Sequence, residues 1–240
     1  VPGIPRSSGG TFELYVLRLT NESLGFHKPE VLFQGGIHGD EQTPPTAYIW
    51  FADWFLRYSV GHLDGGDANY DGFESEYFQW LLNNREIYIL PAFNPDGIVR
   101  NSRYDQTGRD MNRNFDWNTE SSPSMATRNA QCMREFMNNH QIRMGITAHD
   151  GANFVCYPMD SIHSGRTAQT IAGVIGYPGG PTNRIGLTQT FAPPDYYWYD
   201  AVLAHMINYT GTTPDGYVCD TTSYQGNFCP GGNWYPADGC

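Results

Sequence analysis

Long hydrophobic runs are absent from this 240-residue chain. Its longest apolar stretch, residues 47–56, is interrupted by Asp53, so none approaches the ~18 residues that a membrane-spanning helix needs. Basic residues are also scarce, because 14 Lys and Arg face 25 Asp and Glu, for a net charge of −11. Surfaces that bind nucleic acid need clustered cations, so the composition argues against a nucleic-acid partner. The lack of a long apolar run argues against a membrane span.

Cysteine pairs of the C-x-x-C type are also missing, although five cysteines occur. This absence argues against a thiolate zinc site or a redox motif. Three of the five, Cys219, Cys229 and Cys240, lie close together near the end of the sequence, where a disulfide could tether a loop. Together with N-glycosylation patterns at Asn21 and Asn208, they predict a secreted, disulfide-bonded glycoprotein.

Strand and helix patterns alternate along the chain. Short runs of apolar, β-branched and aromatic residues predict strands at residues 12–19, 31–33, 86–93, 143–148 and 153–157. Apolar residues at helical spacing predict helices at residues 43–58, 122–140, 162–174 and 195–209. Residues 94–118 are predicted to form a long functional loop, and residues 210–240 are predicted to be irregular. The alternation predicts an α/β fold, a mostly parallel mixed β-sheet flanked by helices, in one domain spanning 1–240.

A His and a Glu three residues apart follow the predicted strand 31–33. They are His38 and Glu41, and His149 follows the predicted strand 143–148. Because parallel strands end at the same edge of a sheet, these three side chains can meet, and catalytic zinc takes three protein ligands and leaves one position open. Taken alone, His38 and Glu41 could simply belong to a solvated loop. The presence of His149 at the end of a second strand argues for a metal site instead.

Four sequence blocks resemble the zinc metallocarboxypeptidases, above all the secreted regulatory branch that includes carboxypeptidases D, E and N. They occur in the family's order with matching internal spacing: GGIHGDE (35–41), NPDG (94–97), SRYDQTGRDMNRNF (102–115) and HDGANFVCYPMD (149–160). The resemblance implies that His38, Glu41 and His149 hold one zinc ion. It also implies that the protein acts on the C-termini of peptides or proteins.

Two further roles follow from the resemblance around the metal. Asp110 matches the Asp that accepts a hydrogen bond from the first ligand His and so sets its tautomer. Arg103 matches the Arg that stabilises the oxyanion formed during hydrolysis. Arg100 and Arg109 are alternatives for that second role.

Substrate-binding roles are implied for three more residues. Asn112 and Arg113 match the pair that grips the terminal carboxylate of the substrate, which makes an exopeptidase. Asp160 matches a pocket residue that selects C-terminal Lys or Arg, although Met159 stands where the family usually has Tyr. Asp150 replaces the small residue that normally follows the third ligand, and the sequence offers no reason for it.

The resemblance does not extend to the family's first strand and helix or to its C-terminal segment. That segment carries a mobile Tyr and the general-base Glu, whose help is worth roughly 10²–10⁴ in rate. Because the sequence opens at Val1 and has an odd cysteine count, we expect the polypeptide to continue beyond it. A second chain that completes the fold is one alternative, and an inactive relative is another.

Two other functions stay open at this point. A zinc amidase or deacylase shares the H-x-x-E and D-x-N-R patterns, although the NPDG and 149–160 blocks favour the peptidase. A catalytically inactive binding or assembly module would retain zinc without turnover. The aromatic residues 196–199 could mark an assembly surface with an oligomer or partner, or the apolar start of a helix packed on the sheet.

Overall fold

The computed structural model describes residues 7, 12–61, 69–70, 73–115, 125–151, 155–157, 198–199, 201–203 and 228–230. The chain divides into two compact units. The first comprises residues 1–112 and 125–150, and the second comprises residues 113–124 and 151–240. Organisation of residues 1–240 as a single domain stays a prediction.

A four-stranded sheet forms the centre of the first unit. The strands of this unit, in chain order, are β1 (Leu17–Leu19), β2 (Glu30–Gln34), β3 (Asn69–Tyr70), β4 (Phe73–Glu74), β5 (Glu86–Leu90) and β6 (Ile142–Thr147). The sheet has the order β1-β5-β2-β6. Strand β2 pairs in parallel with β5 and β6, whereas β1 pairs antiparallel with β5. The predicted mixed, mostly parallel sheet is therefore confirmed.

Four helices accompany these strands: α1 (Thr43–Ser59), α2 (Ser75–Asn84), α3 (Pro95–Arg100) and α4 (Arg128–Asn139). Single 3-10 turns lie at Glu22–Leu24 and Met111–Arg113. Among the described helices, none combines the length and the apolar character needed to cross a bilayer.

Helices cover both faces of β5, which is buried along its whole length. Ile87 and Ile89 belong to a core cluster with Phe55 of α1 and Phe78 of α2. Tyr88, which points to the opposite face because strand side chains alternate, contacts the aromatic rings of Phe136 and His140 at the end of α4. Burial on both faces explains why this segment is a continuous apolar run.

Several sequence-based elements are confirmed and others are wrong in extent. Helix 43–58 and the strands at 31–33 and 86–93 correspond to α1, β2 and β5. Within the predicted strand 12–19, only residues 17–19 pair in the sheet. Strand 143–148 is correctly located in β6, but it is half-exposed rather than buried, because it lies at the edge of the described sheet.

Three corrections concern helices. The predicted loop 94–118 contains α3, which Asn94 caps by accepting a hydrogen bond from the Gly97 N–H. Helix α4 begins at Arg128 after a Thr127 cap rather than at residue 122. Helix α2 is not among the predicted elements; it is ten residues long and has Phe78 as its one buried residue.

The second unit contains a short parallel pair, β7 (Val155–Tyr157) and β8 (Phe228–Pro230), with Cys156 opposite Cys229. Strand β7 agrees with the predicted strand 153–157, whereas β8 corrects the prediction that residues 210–240 are all irregular. Residues 198–199 and 201–203 are helical, within the predicted helix 195–209, and Trp198 is exposed. The predicted helix 162–174, the sequon at Asn208 and two cysteines of the predicted C-terminal disulfide, Cys219 and Cys240, lie outside the described residues.

Candidate metal centre

Two neighbouring strands bring the candidate ligands to one edge of the sheet. Strand β2 ends at Gln34, which lies opposite Thr147 at the end of β6. The Ala148 N–H donates to the Gln34 carbonyl at 2.9 Å and extends this pairing by one residue. His38 follows β2 and His149 follows β6, so the strand register places both on the carboxyl edge of the sheet, as the sequence predicts.

His38, Glu41 and His149 form a compact cluster. Glu41 Oε1 lies 2.6 Å from His38 Nδ1, and Glu41 Oε2 lies 2.8 Å from His149 Nδ1. One potential ligand atom from each residue lies within 4.8 Å of the other two, and the two imidazole rings are 4.9 Å apart between centroids. Two imidazole nitrogens and one carboxylate oxygen fit a zinc ion, whose ligand distances are about 2.0–2.2 Å.

The burial of the three residues is graded across the cluster. His38 is buried, Glu41 is half-buried and His149 is exposed. The cluster is therefore fixed on the His38 side and open to solvent on the His149 side. An open side is what a catalytic metal site requires, since a substrate must reach the ion.

Asp110 lies behind His38 and determines which of its nitrogens faces the cluster. Its Oδ1 is 3.2 Å from His38 Nε2 and also accepts the Asn112 N–H at 2.9 Å. Because an ionised carboxylate can only accept, Nε2 carries a proton and donates it to Asp110, which leaves Nδ1 as the nitrogen that faces the cluster. The hydrogen bond predicted between Asp110 and the first candidate ligand is thus present.

Both carboxylates of the site are ionised at neutral pH. Burial is the largest single influence on the pKa of Glu41 and raises it, but hydrogen bonds and charge from His149 and His38 lower the pKa to about 2. Burial likewise raises the pKa of Asp110, and contacts with His38 and Arg103 outweigh it and lower the pKa to about 2. For His38, burial lowers the pKa, but hydrogen bonds to Asp110 and Glu41 outweigh it and leave the pKa raised. The two carboxylates together attract a cation.

Arg103 contacts the cluster directly. Its Nε and Nη2 both lie 2.8 Å from Asp110 Oδ2, and its Nη1 lies 3.2 Å from His38 Nδ1. Arg100, one alternative, donates instead to the backbone carbonyls of Asp96 and Tyr104. Arg109, the other alternative, lines a separate polar cavity with Thr107, Ala126, Thr127, Arg128 and Gln131.

The predicted substrate-binding residues are described less completely. Asn112 lies in the one-turn helix Met111–Arg113 directly after Asp110 and is half-buried. Arg113 ends that turn and belongs to the second unit, so its role stays a prediction. Asp160 lies outside the described residues.

The NPDG block (residues 94–97) supports the loop that carries His38 and Glu41 through a backbone contact. Gly39 packs directly on Gly97, since a Cβ added to Gly39 would lie 2.0 Å from the Gly97 carbonyl carbon. Asn94 is fully buried and shapes the turn by accepting the Gly97 N–H at 3.0 Å. The first two sequence blocks are thus in direct contact, which explains the glycine at 39, whereas a Cβ at Gly97 would meet the Asn94 amide at 2.5 Å and the Ser102 carbonyl oxygen at 2.7 Å.

Asp150 has a contact that the sequence did not predict. Its Oδ2 accepts the backbone N–H of Thr43, the first residue of α1, at 3.0 Å. The partners are 107 residues apart, so no local pattern could reveal the bond. The one available signal was that a charged residue stands where the resemblance leads one to expect a small one.

Comparisons with known proteins identify carboxypeptidases as relatives of this chain. Human carboxypeptidase D is 25% identical over 152 residues, which is 55% of this chain and 10% of that protein. Bovine carboxypeptidase B is 27% identical over 189 residues, which is 65% of this chain and 42% of that protein. The chain therefore spans less than half the length of these relatives.

Solved structures show the same fold. The crystal structure of thrombin activatable fibrinolysis inhibitor matches 98% of this chain and 55% of its own, with a TM-score of 0.67 and 17% identity. Carboxypeptidase A from Helicoverpa armigera matches 98% of this chain and 53% of its own, with a TM-score of 0.60 and 18% identity. The zinc carboxypeptidase family model matches residues 6–240. The chain therefore belongs to the zinc carboxypeptidase family, and zinc is the cofactor of that family.

Proposed function

We propose that the protein is a zinc-dependent exopeptidase that hydrolyses the C-terminal peptide bond of peptides or proteins. The observation that carries the proposal is the cluster of His38, Glu41 and His149, whose ligand atoms lie within 4.8 Å of one another. Bound zinc supplies Lewis-acid chemistry, since it polarises a carbonyl and acidifies water. Family membership supports the metallopeptidase class, and the steps below concern residues of this chain.

Arg103 is proposed to stabilise negative charge on the carbonyl oxygen of the scissile bond. Two of its nitrogens are held by Asp110 Oδ2, while Nη1 is directed to the metal cluster. A guanidinium held in this way needs little reorganisation when charge develops beside it, which is the usual basis of electrostatic catalysis. Asp110 is thus proposed to orient both His38 and Arg103.

Asn112 and Arg113 are proposed to bind the terminal carboxylate of the substrate. Arg113 can hold a carboxylate through two parallel hydrogen bonds, and Asn112 adds a neutral donor. The position of Asn112 relative to the cluster is restrained, because its N–H donates to Asp110 Oδ1 at 2.9 Å. A free main-chain carboxylate occurs only at a chain end, so this pair would restrict hydrolysis to the last residue.

Asp160 is proposed to favour substrates that end in Lys or Arg. A carboxylate in a pocket prefers a cationic guest, because an apolar one would leave the charge desolvated and unpaired. We further propose that the protein is secreted. The two sequons and the clustered C-terminal cysteines support this, as they are typical of proteins from oxidising compartments.

Hydrolysis by the zinc-loaded, full-length protein tests the proposal. The substrates are a peptide ending in Lys, the same peptide ending in Leu, its C-terminal amide and an N-acyl amino acid. We expect release of single C-terminal residues, faster for Lys than for Leu, and little reaction with the amide. Preferential hydrolysis of the N-acyl amino acid would favour the deacylase instead, and zinc retention without turnover of any substrate would favour the binding module.

A further inference from the structure

We infer that Asp150 is a positioning residue that clamps the His149 loop to the start of α1 and thereby holds the two halves of the zinc site together. The inference rests on the zinc site and not on peptide hydrolysis. Asp150 follows His149 directly, and its partner Thr43 lies two residues after Glu41. One hydrogen bond, from the Thr43 N–H to Asp150 Oδ2 at 3.0 Å, therefore joins the segments that carry all three candidate ligands.

Helix α1 has few means of capping its own N-terminus. Gln42, its N-cap residue, makes no side-chain capping bond and donates instead to the Gly39 carbonyl. Pro44 and Pro45 follow Thr43 and have no N–H, so Thr43 carries one of the few free donors in the first turn. At this exposed helix end water can satisfy such a donor, whereas Asp150 supplies a fixed acceptor at 3.0 Å.

A carboxylate is a favourable group at this place. The N-terminus of a 17-residue helix carries a partial positive charge, and an anion in the first turn interacts well with it. The hydrogen bond from a backbone N–H to an ionised carboxylate is also stronger than one between neutral groups. A small residue after His149 could provide neither interaction.

His149 is the candidate ligand whose position depends most on this hydrogen bond. It is the exposed member of the cluster, and its described side-chain contacts are those with Glu41 and the His38 ring. Further along the same interface, Tyr48 of α1 donates to the Ile146 carbonyl of β6 at 3.4 Å. Asp150 thus links α1 to the segment that carries His149 at the metal end, where zinc affinity depends on ligands already held in place.

Zinc affinity of the metal-stripped protein, measured by competition with a chelator, tests this role. In Asp150→Ala we expect the Kd for zinc to rise about tenfold, the lower end of the usual cost of losing a group that supports a ligand. In Asp150→Asn the amide oxygen can still accept from Thr43, so the Kd should stay within about threefold of wild type. A matched control is Asp53→Ala, which removes the 2.9 Å ion pair with Arg57 on the same helix and should leave the Kd unchanged.

The thermal midpoint of the metal-stripped variants separates positioning from plain stability. Asp150→Ala should lower it by a few degrees and Asp53→Ala, which loses an exposed ion pair, by about one degree, but only Asp150→Ala should weaken zinc binding. An unchanged Kd in Asp150→Ala would overturn the inference, as would equal weakening in Asp150→Asn and Asp150→Ala. Because the measurement is zinc binding, it stands even if the protein hydrolyses no peptide, so the two proposals fail separately.

A second, donor-side variant protects the test against misfolding of Asp150→Ala. Thr43→Pro removes the N–H that Asp150 accepts, at the first helical position, where proline is common. Because a following proline disfavours the αR backbone of Gln42, the thermal midpoint of this variant is measured as well. We expect it to weaken zinc binding about as much as Asp150→Ala, and the double variant to be no weaker than either one. Additive effects in the double variant would show that the two residues act independently and would contradict the clamp.

Discussion

Gly39 and Gly97 touch through their backbones. A Cβ added at Gly39 would lie 2.0 Å from the carbonyl carbon of Gly97 and 2.4 Å from its Cα. Gly39 follows His38 directly, and Gly97 lies in the first half of α3. The position of the first candidate ligand thus depends on how closely two loops from distant parts of the sequence can approach each other.

Gly39→Ala should therefore destabilise the protein and its metal site together. No flexible side chain can move aside, so the backbone of α3 must shift, and overpacking of this kind costs about 1–3 kcal/mol in unfolding free energy. Because His38 would move with the loop, we also expect at least tenfold weaker zinc binding. Chemical denaturation and chelator competition measure the two effects.

Gly145→Ala is the matched control for this prediction. It makes the same chemical change on β6, where the nearest neighbour of an added Cβ is the Leu32 carbonyl oxygen at 4.0 Å. Its unfolding free energy and zinc affinity should remain close to those of wild type. Equal behaviour of the two variants would mean that the Gly39–Gly97 contact does not constrain the site.

The sequence correctly predicts that the three candidate ligands lie together, because each follows a strand that its residue pattern indicates. Val31, Leu32 and Phe33 predict β2, and its parallel pairing with β6 brings His38 and His149 to one edge. Helix α3 escapes prediction for a physical reason. Asn, Asp, Pro and Gly are typical of loops, but the same residue types cap and begin short helices, as Asn94 and Pro95 do here.

Contacts between distant residues are the part that the sequence does not predict. Asp150 and Thr43 are 107 residues apart, and the residues around each of them do not indicate that the two are in contact. The exposure of β6 is hidden for a similar reason. Its apolar residues suggest a buried strand, but its place at the edge of the described sheet leaves Met144 at 42% exposure.

Asp110→Asn should weaken zinc binding about 10- to 100-fold, the usual cost of removing a carboxylate that supports a ligand His. The amide no longer favours the His38 tautomer with its proton on Nε2, and Arg103 loses its ionic partner at 2.8 Å. Chelator competition with the metal-stripped protein measures the change. Asp40→Asn removes the same charge from an exposed residue beside Glu41 and should have little effect. Comparable losses in both variants would point to general electrostatics rather than to the hydrogen bond.

Substitution of Arg103 and substitution of Arg113 should affect different kinetic constants of the zinc-loaded, full-length protein. Arg103→Ala should lower kcat by about 10²–10³, because a donor to developing charge is lost. Arg113→Ala should mainly raise KM for substrates with a free C-terminal carboxylate. Rates measured over a range of concentrations of one such peptide give both constants.

Arg100→Ala is the control for that comparison. The Arg100 side chain donates to backbone carbonyls of α3 and the segment after it, including Asp96 at 3.1 Å, so kcat and KM should change by less than about threefold. If Arg100→Ala lowered kcat as strongly as Arg103→Ala, Arg100 rather than Arg103 would be the cation that acts on the substrate.

Tyr88 should make the protein less stable at alkaline pH. Its burial and its hydrogen bond to Glu86, at 2.9 Å, raise the pKa of Tyr88 to about 12, whereas an unfolded tyrosine titrates near 10. Below pH 10 both states keep the proton and stability does not change on this account. Between pH 10 and 12 the unfolded chain loses a proton that the native protein retains. Stability therefore falls as pH rises, by about 2 kcal/mol across that range.

Tyr88→Phe removes this titration and should flatten the alkaline part of the stability profile. At pH 8 the variant should be less stable than wild type by about 1 kcal/mol, because buried Glu86 loses a donor, and the difference should shrink as pH rises above 10. Urea denaturation at pH 8, 10 and 11 measures both quantities. Tyr104→Phe changes a tyrosine that is 48% exposed and should leave the slope as in wild type. Parallel stability profiles of wild type and Tyr88→Phe above pH 10 would contradict this prediction. They would mean that the pKa of Tyr88 is the same in the folded and unfolded chain, despite its burial beside Glu86.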